Sequence, residues 1–187
     1  MGSQPPQLPA AELRTLVLRA RDNDPDAWET LYRLAYPSLC AYAQRRLSRR
    51  DDADDAVSET FIRAYDRLDD FHWMGAGVLA WLFGILRNVV RESQRADWRI
   101  SPLVGDYACG MDDLVDEPFT PWQTAALRQA FATLEPSDQE ILELRVMSRL
   151  SAEDVAVVVG KHPGAVRMAQ SRAMARLRSA LEGVTAP

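Results

Sequence analysis

The sequence predicts an all-α protein made of two small helical domains joined by an acidic linker. Three observations predict it. Apolar residues recur at helical spacing along almost the whole chain, and almost no segment alternates apolar and polar as a half-buried strand would. Over residues 100–120 that periodicity breaks: the stretch holds Pro102, Gly105, Gly110 and Pro118, several acids and neither Lys nor Arg. Residues 151–178, SAEDVAVVVGKHPGAVRMAQSRAMARLR, read as a short helix, a tight turn and a basic second helix. The expected division is a loose tail over 1–9, a first domain over 10–99, the linker over 100–120 and a second domain over 121–187.

Composition narrows the function. The chain has 187 residues, 47% of them hydrophobic, enough for one or two buried cores. It carries 22 Lys and Arg against 27 Asp and Glu, a formal net charge of −5. An acidic total argues against a simple stand-alone DNA binder, which is usually basic. The acid is unevenly placed, however, and residues 161–178 contain none. Cys40 and Cys109 stand far apart without a CxxC or a Cys/His cluster, so neither a disulfide framework nor a zinc site is expected and no cofactor is implied. No apolar run reaches transmembrane length and the N-terminus lacks a signal-peptide core. A cytoplasmic location without membrane insertion is the expectation.

In the first domain, Leu13, Leu16, Val17 and Ala20 share one face of a helix. Asp24-Pro25 starts the next, where Trp28, Leu31, Tyr32 and Ala35 form a stripe read as core. Pro37 should interrupt that helix, with residues 39–47 resuming it. Residues 49–71, RRDDADDAVSETFIRAYDRLDDF, put Val57, Phe61, Ala64, Tyr65 and Leu68 on an apolar face. Asp51, Asp52, Asp54 and Asp55 crowd its N-terminus, where the helix dipole favours anions. They can equally serve a protein-docking surface, or hold Mg²⁺ as paired aspartates do. The metal alternative wants a facing acidic motif, and the other acidic cluster, at residues 112–117, lies in a turn-rich stretch.

FHWMGAG, residues 71–77, is a short aromatic loop with two glycines. It reads either as a plain connector or as a clamp for an unstacked base. The following helix, over 78–99, buries Leu79, Leu82, Phe83, Leu86 and Val90. Its opposite face carries Trp81, Gly84, Asn88, Arg91 and Arg95, with Arg87 at the edge: a solvated charged face, or arginines for phosphate with an amide and an aromatic for bases.

In the second domain, Pro121-Trp122 opens a helix running through Phe131, and PSDQEILELRVM packs Ile141, Leu144 and Val146. Ser151 can cap the next helix with Asp154 at the capping-box position. Gly160 can end it with positive φ, and Pro163 can open the last helix. There Val166, Gln170, Ala173 and Leu177 face inward, while Arg167, Met168, Ser171, Arg172, Ala175 and Arg178 face outward. This is either an ordinary αα-hairpin with a solvated Arg face or a helix-turn-helix whose second helix enters the major groove.

Two helical domains, an acidic linker and two separate nucleic-acid surfaces together resemble the extracytoplasmic-function sigma factors of the bacterial sigma-70 family. DDADDAVSETFIRAYDRLDDF looks like the region 2 helix that binds the polymerase β′ clamp, and AWLFGILRN like the start of the segment that melts and reads the −10 element. LEPSDQEILELRVMSRLSAEDVAVVVGKHPGAVRMAQSRAMARLR looks like region 4. The resemblance covers almost the whole chain beyond the tail.

It implies roles. Asp54, Asp55, Val57, Ser58, Glu59 and Phe61 fall in the clamp-binding motif, some as contacts and some as supporting core. Phe71, His72, Trp73 and Met74 match the loop that pockets a flipped −10 base, with Trp81, Asn88, Arg91 and Arg95 beside it. Lys161, Arg167, Met168, Ser171, Arg172 and Arg178 fall on the −35 reading helix and its approach. Ser58 stands where the family often carries Gln, and Met168-Ala169 where Ser-Arg is common, which leaves the preferred −35 sequence open. The implied partners are core RNA polymerase through the β′ clamp and β flap, promoter DNA, and an anti-sigma factor; the catalysis belongs to the polymerase. Two rivals remain: a stand-alone helix-turn-helix regulator and an all-α Mg²⁺-dependent enzyme using residues 51–55.

Overall fold

The computed structural model describes residues 8–73, 77–98 and 121–184. These form two compact units, one holding α1 to α4 and the other α5 to α8, and no strand occurs among the described residues. The linker stretch, Met74 and residues 1–7 of the expected tail lie outside the described residues.

In the first unit, α1 (Ala10–Arg21) buries Leu16, Val17 and Ala20. Asn23 then takes φ 57°, a left-handed turn. Asp24 caps α2 (Pro25–Gln44): its Oδ1 accepts from the amides of Asp26 at 3.0 Å and Ala27 at 3.4 Å, with Pro25 at the first helical position. Trp28 Nε1 donates to the Ala20 carbonyl at 3.0 Å, tying α2 to the end of α1.

The expected break at Pro37 does not occur, and α2 runs through it. An interior proline costs about 3 kcal/mol or more. Here the helix is held on both sides of it by fully buried residues, Leu31 and Ala35 before and Leu39, Tyr42 and Ala43 after. Packing wins because it acts over several turns while the lost hydrogen bond is local.

Helix α3 (Arg50–Arg67) buries Ala53, Ala56, Val57, Thr60 and Ala64. Thr60 satisfies its hydroxyl by donating to the Ala56 carbonyl at 2.7 Å. A 3₁₀ turn, Leu68–Asp70, leads to the aromatic loop, and α4 (Val78–Trp98) follows. Helices α2, α3 and α4 pack pairwise around Tyr42, Phe83, Leu82, Leu86, Val57 and Val90, with α1 laid on α2. Two residues read as core are not: Tyr32 is 42% exposed and Tyr65 is 56% exposed. Small Ala53, Ala56 and Ala64 bring α3 close to its neighbours and leave the tyrosines outside the contact line.

In the second unit, α5 (Pro121–Ala132) and α6 (Pro136–Leu142) pack against α8 (Pro163–Val184) around Phe131, Leu134, Leu142 and Ala173. Gln139 Nε2 donates to the Phe131 and Leu134 carbonyls at 3.0 and 3.1 Å, satisfying the end of α5. After α6 the chain makes one π turn, Glu143–Met147. That turn shifts the helical register, so Val146, expected inside, is 44% exposed. Arg145 spans the gap: its Nε donates to Gln170 Oε1 of α8 at 2.9 Å and its guanidinium also donates to the Leu150 carbonyl.

Helix α7 (Ala152–Val159) begins with the expected capping box. The Asp154 amide donates to Ser151 Oγ at 2.9 Å, and the Ser151 amide donates to Asp154 Oδ2 at 3.1 Å. Gly160 ends it at φ 68° and ψ 40°, and Lys161 N donates to the Ala156 carbonyl at 2.9 Å. Among the described residues no helix is long and apolar enough to cross a membrane.

Candidate polymerase and nucleic-acid surfaces

Three exposed surfaces carry the residues singled out in the sequence. The first lies along α3. Val57 is fully buried and supports the helix from inside. Asp55 and Ser58 are exposed, Glu59 is half-buried, and the Ser58 hydroxyl donates to the Asp54 carbonyl at 2.9 Å. Asp54 is also half-buried, because the Cys40 thiol of α2 donates to its Oδ1 at 3.5 Å. Burial, then that hydrogen bond to Asp54, pushes the Cys40 thiol pKa up. The neighbouring Cys40 first, then burial and the Asp54 charge, push the Tyr36 phenol up to about 12. The four aspartates therefore differ: they wind around the helix start. Among the described residues no three His, Cys, Asp or Glu groups come together in a way that could hold a metal ion.

Beside this face Phe61 packs on Tyr32 at 4.7 Å between ring centroids, and Tyr65 on Trp28 at 5.3 Å. The Tyr65 hydroxyl donates to Asn23 Oδ1 at 2.9 Å. With Ile62 these rings line a shallow apolar cleft of about 650 Å³ between α2 and α3. Sequence reasoning missed it because both tyrosines fit the apolar period and were counted as core. Their exposure, with Ile62 at 58%, makes this an unusual run of exposed apolar side chains on one face.

The second surface is the aromatic loop and the outer face of α4. Phe71 is only 4% exposed, so it cannot offer an open ring to a base. It backs the others: its centroid lies 5.1 Å from Trp73 and 5.2 Å from Trp81, both half-buried. His72 is exposed, with Nδ1 2.7 Å from the Asp70 carbonyl. Trp81, Asn88, Arg91 and Arg95 run along one side of α4, spanning about 21 Å at 1.5 Å per residue. Asn88, Arg91 and Arg95 are exposed, and among the described residues neither Asn88 nor Arg91 makes a hydrogen bond or ion pair. Glu92 on the same helix turns away from this face to Arg63 of α3, whose guanidinium donates to both its carboxylate oxygens at 3.2 and 2.8 Å and, through Nε, to Glu59 at 2.7 Å. That pairing with Arg63 holds Glu92 below the usual carboxylate range.

Two α1 residues that the sequence did not single out reach this loop. Arg21 donates through Nε to the Leu68 carbonyl at 3.2 Å and through its terminal nitrogen to the Phe71 carbonyl. Arg14 places its Cζ 5.1 Å from the Trp73 ring centroid. No sequence signal marks them, since arginine on the polar side of an amphipathic helix is ordinary.

The third surface is the outer face of α8. Val166 and Ala173 are buried, while Arg167, Met168, Ser171, Arg172 and Arg178 are exposed, as is Lys161 in the turn. Lys161, Arg172 and Arg178 make no ion pair among the described residues. Arg167 does: its guanidinium donates to Glu153 of α7 at 2.5 Å. Arg176 is also committed, to the nearly buried Asp138 of α6. Three unpaired cations with a hydroxyl and a 62% exposed Met168 can meet phosphates, base edges and a thymine methyl group.

Residues 31–100 match the family model for Sigma-70 region 2, and residues 124–177 match that for Sigma-70, region 4. The chain is 35% identical over 153 residues to the ECF RNA polymerase sigma factor EcfG of Rhodopseudomonas palustris, covering 79% of this chain and 81% of that one. It is 30% identical over 179 residues to ShbA of Streptomyces griseus, covering 89% and 94%. With BldN of Streptomyces coelicolor it shares 31% over 172 residues, 90% of this chain but only 65% of the relative's length. Among solved structures it resembles the sigma factor RpoE bound to the anti-sigma factor NepR from Bartonella quintana, with TM-score 0.66 and 28% identity over 82% of this chain and 96% of that one. The fold of CnrH, solved with the cytosolic domain of CnrY, is similar at TM-score 0.67 and 24% identity, covering 91% and 97%.

Proposed function

Because the chain belongs to the extracytoplasmic-function sigma factors of the sigma-70 family, we propose that its three surfaces divide promoter recognition among themselves. It directs RNA polymerase to promoters and starts transcription there. The carrying observation is the coexistence, on one chain, of a helix-turn-helix face bearing Lys161, Arg172 and Arg178 without ion pairs among the described residues and a second face combining aromatics, an amide and arginines. A stand-alone regulator needs the first and has no use for the second.

Core polymerase docks on the exposed face of α3. Asp55, Ser58 and Glu59 supply polar contacts, Phe61 and the cleft with Tyr32, Ile62 and Tyr65 supply apolar area, and Val57 and Asp54 hold the helix from behind. Lys161, Arg167, Met168, Ser171, Arg172 and Arg178 read duplex −35 DNA in the major groove. His72, Trp73, Met74 and Trp81 capture unstacked −10 bases, while Asn88, Arg91 and Arg95 follow the strand. Unpairing costs a few kcal/mol, and stacking returns about 1–3 kcal/mol per base, so two captured bases suffice to offset it. Bond making belongs to the polymerase. The protein acts in the cytoplasm, where promoter DNA and polymerase are.

An anti-sigma factor holds the chain inactive by covering these surfaces. The support is the similarity to RpoE of Bartonella quintana, which was solved in such a complex. The test is run-off transcription with purified core polymerase on a randomised promoter library. Enrichment of one two-part promoter is expected; specific duplex binding without polymerase, and no transcript with it, would overturn the proposal.

A further inference from the structure

The loop after α3 is held from α1, a helix that precedes the residues matched by the region 2 family model. This inference rests on the reading of that loop as the −10 base-capturing element. A loop that captures a base must keep its backbone still, because small misplacements at a recognition site cost affinity steeply. The carbonyl of Leu68, in the 3₁₀ turn that leads into the loop, and that of Phe71, the loop's first residue, both accept from the Arg21 guanidinium. One planar fork bridging two carbonyls fixes their separation as a flexible ammonium cannot. Arg21 is half-buried, so water competes poorly for those carbonyls. Arg14 lies seven residues earlier, two helical turns away on the same face of α1, and sits over the Trp73 ring at 5.1 Å. Phe71 meets Trp73 edge-on. The backbone and the ring of the loop are therefore each gripped by one arginine of the same helix face.

We propose that Arg21 and Arg14 are positioning residues for −10 recognition: Arg21 sets the loop backbone and Arg14 sets the plane of Trp73. Neither needs to touch DNA. Helix α1 is thus part of the promoter-reading apparatus and sets how well the loop discriminates bases.

The experiment uses holoenzyme reconstituted from the full chain and core polymerase, with a pool of randomised single-stranded DNA as the probe. Wild type should enrich a short motif. Arg21→Met should lower affinity for the enriched strand by about five- to a hundredfold, the range of losing one stacked base, and flatten the preference at one or two positions. Affinity for core polymerase should be unchanged. Arg21→Lys, able to reach one carbonyl at a time, should recover part of the preference, and Arg14→Gln should weaken it less than Arg21→Met. A role in folding alone would lower polymerase and strand affinity together and leave base preference intact; that result overturns the inference. Arg14 is exposed, so Arg14→Gln remains informative even where Arg21→Met destabilises the unit. Trp73→Ala separates the two levels. If it leaves the preference untouched, the loop is not the reader. If it flattens the preference while Arg21→Met and Arg14→Gln do not, the loop reads and α1 does not position it.

Discussion

Gly160→Ala isolates a backbone cost at the turn between α7 and α8, the helix proposed to read the −35 element. Gly160 sits at φ 68° and ψ 40°, and a Cβ built there meets nothing within 4 Å. Sterics with neighbours therefore contribute nothing, and the penalty is that of an L-residue in the left-handed region, about 1–2 kcal/mol. Asn tolerates that region, so Gly160→Asn should lose only part of it. Gly84→Ala is the control of opposite sign. It too has free space, but it lies inside α4 at ordinary helical φ, so it should stabilise by about 0.5–1 kcal/mol. Hydrogen–deuterium exchange on the full chain localises each effect. Amides of α7 and of the first turns of α8 should exchange about 5–30-fold faster in Gly160→Ala, the factor that 1–2 kcal/mol implies. Duplex −35 binding should weaken with it, because the turn sets the angle at which α8 meets the groove. Unchanged exchange in α7, or an Asn variant as damaged as the Ala variant, would refute the argument from φ.

Four other outcomes follow from particular contacts. Asp55→Lys should weaken core-polymerase binding with no change in thermal stability, whereas Asp54→Lys should also lower the melting temperature, because Asp54 is half-buried against Cys40; pull-down affinity and calorimetry on both variants check this. Glu92 has a folded pKa held below its unfolded value by Arg63, so its stabilisation is present above about pH 4.5 and is lost as pH falls through the depressed pKa; Glu92→Gln should cost under about 1 kcal/mol at pH 7, since the pair is partly exposed, and progressively less as the pH falls. Glu153→Gln should free Arg167 and tighten duplex binding, with the salt slope steeper by about 0.9 for one added phosphate contact. Arg172→Ala should cost about 1–3 kcal/mol with relaxed preference at one base pair if it reaches a base edge, and a sequence-independent loss with a shallower salt slope if it reaches phosphate; Asn88→Ala should spare that duplex and impair capture of a pre-melted −10 strand.

The all-α fold and the helix-turn-helix were legible because local chemistry decides them. Ser151, Asp154, Gly160 and Pro163 each act within a few residues of themselves. What failed required knowledge of neighbours. Pro37 breaks helices in isolation, and only the buried residues flanking it override that. Tyr32 and Tyr65 satisfy the apolar period, yet their rings fall outside a contact line set by small alanines on α3. Val146 was misplaced by a π turn, which leaves no compositional mark. In the site, residue type and spacing found the outward side chains of α4 and α8. They could not show that Phe71 turns inward or that Arg14 and Arg21, some fifty residues earlier, hold the loop.

An acidic protein can still read DNA because its charges are not equivalent. Arg19, Arg33, Arg63 and Arg176 are paired with Asp24, Glu29, Glu92 and Asp138, and Arg21 and Arg145 donate to carbonyls. Such groups support the fold and bring little field to a phosphate. Among the described residues, cations that make no ion pair include Arg91 on the outer face of α4, Arg172 and Arg178 on that of α8, and Lys161 in the turn before it. A net charge of −5 therefore describes the whole molecule and not the two faces proposed to meet DNA. Each face nevertheless has only a few such cations, and each phosphate neutralised contributes about 0.9 to the salt slope. Either unit by itself should bind weakly and be displaced by modest salt. When polymerase holds both, the second contact becomes intramolecular and the two weak affinities multiply through effective concentration. On the proposed reading, promoter binding should therefore depend on core polymerase, because each face offers only a few uncommitted cations.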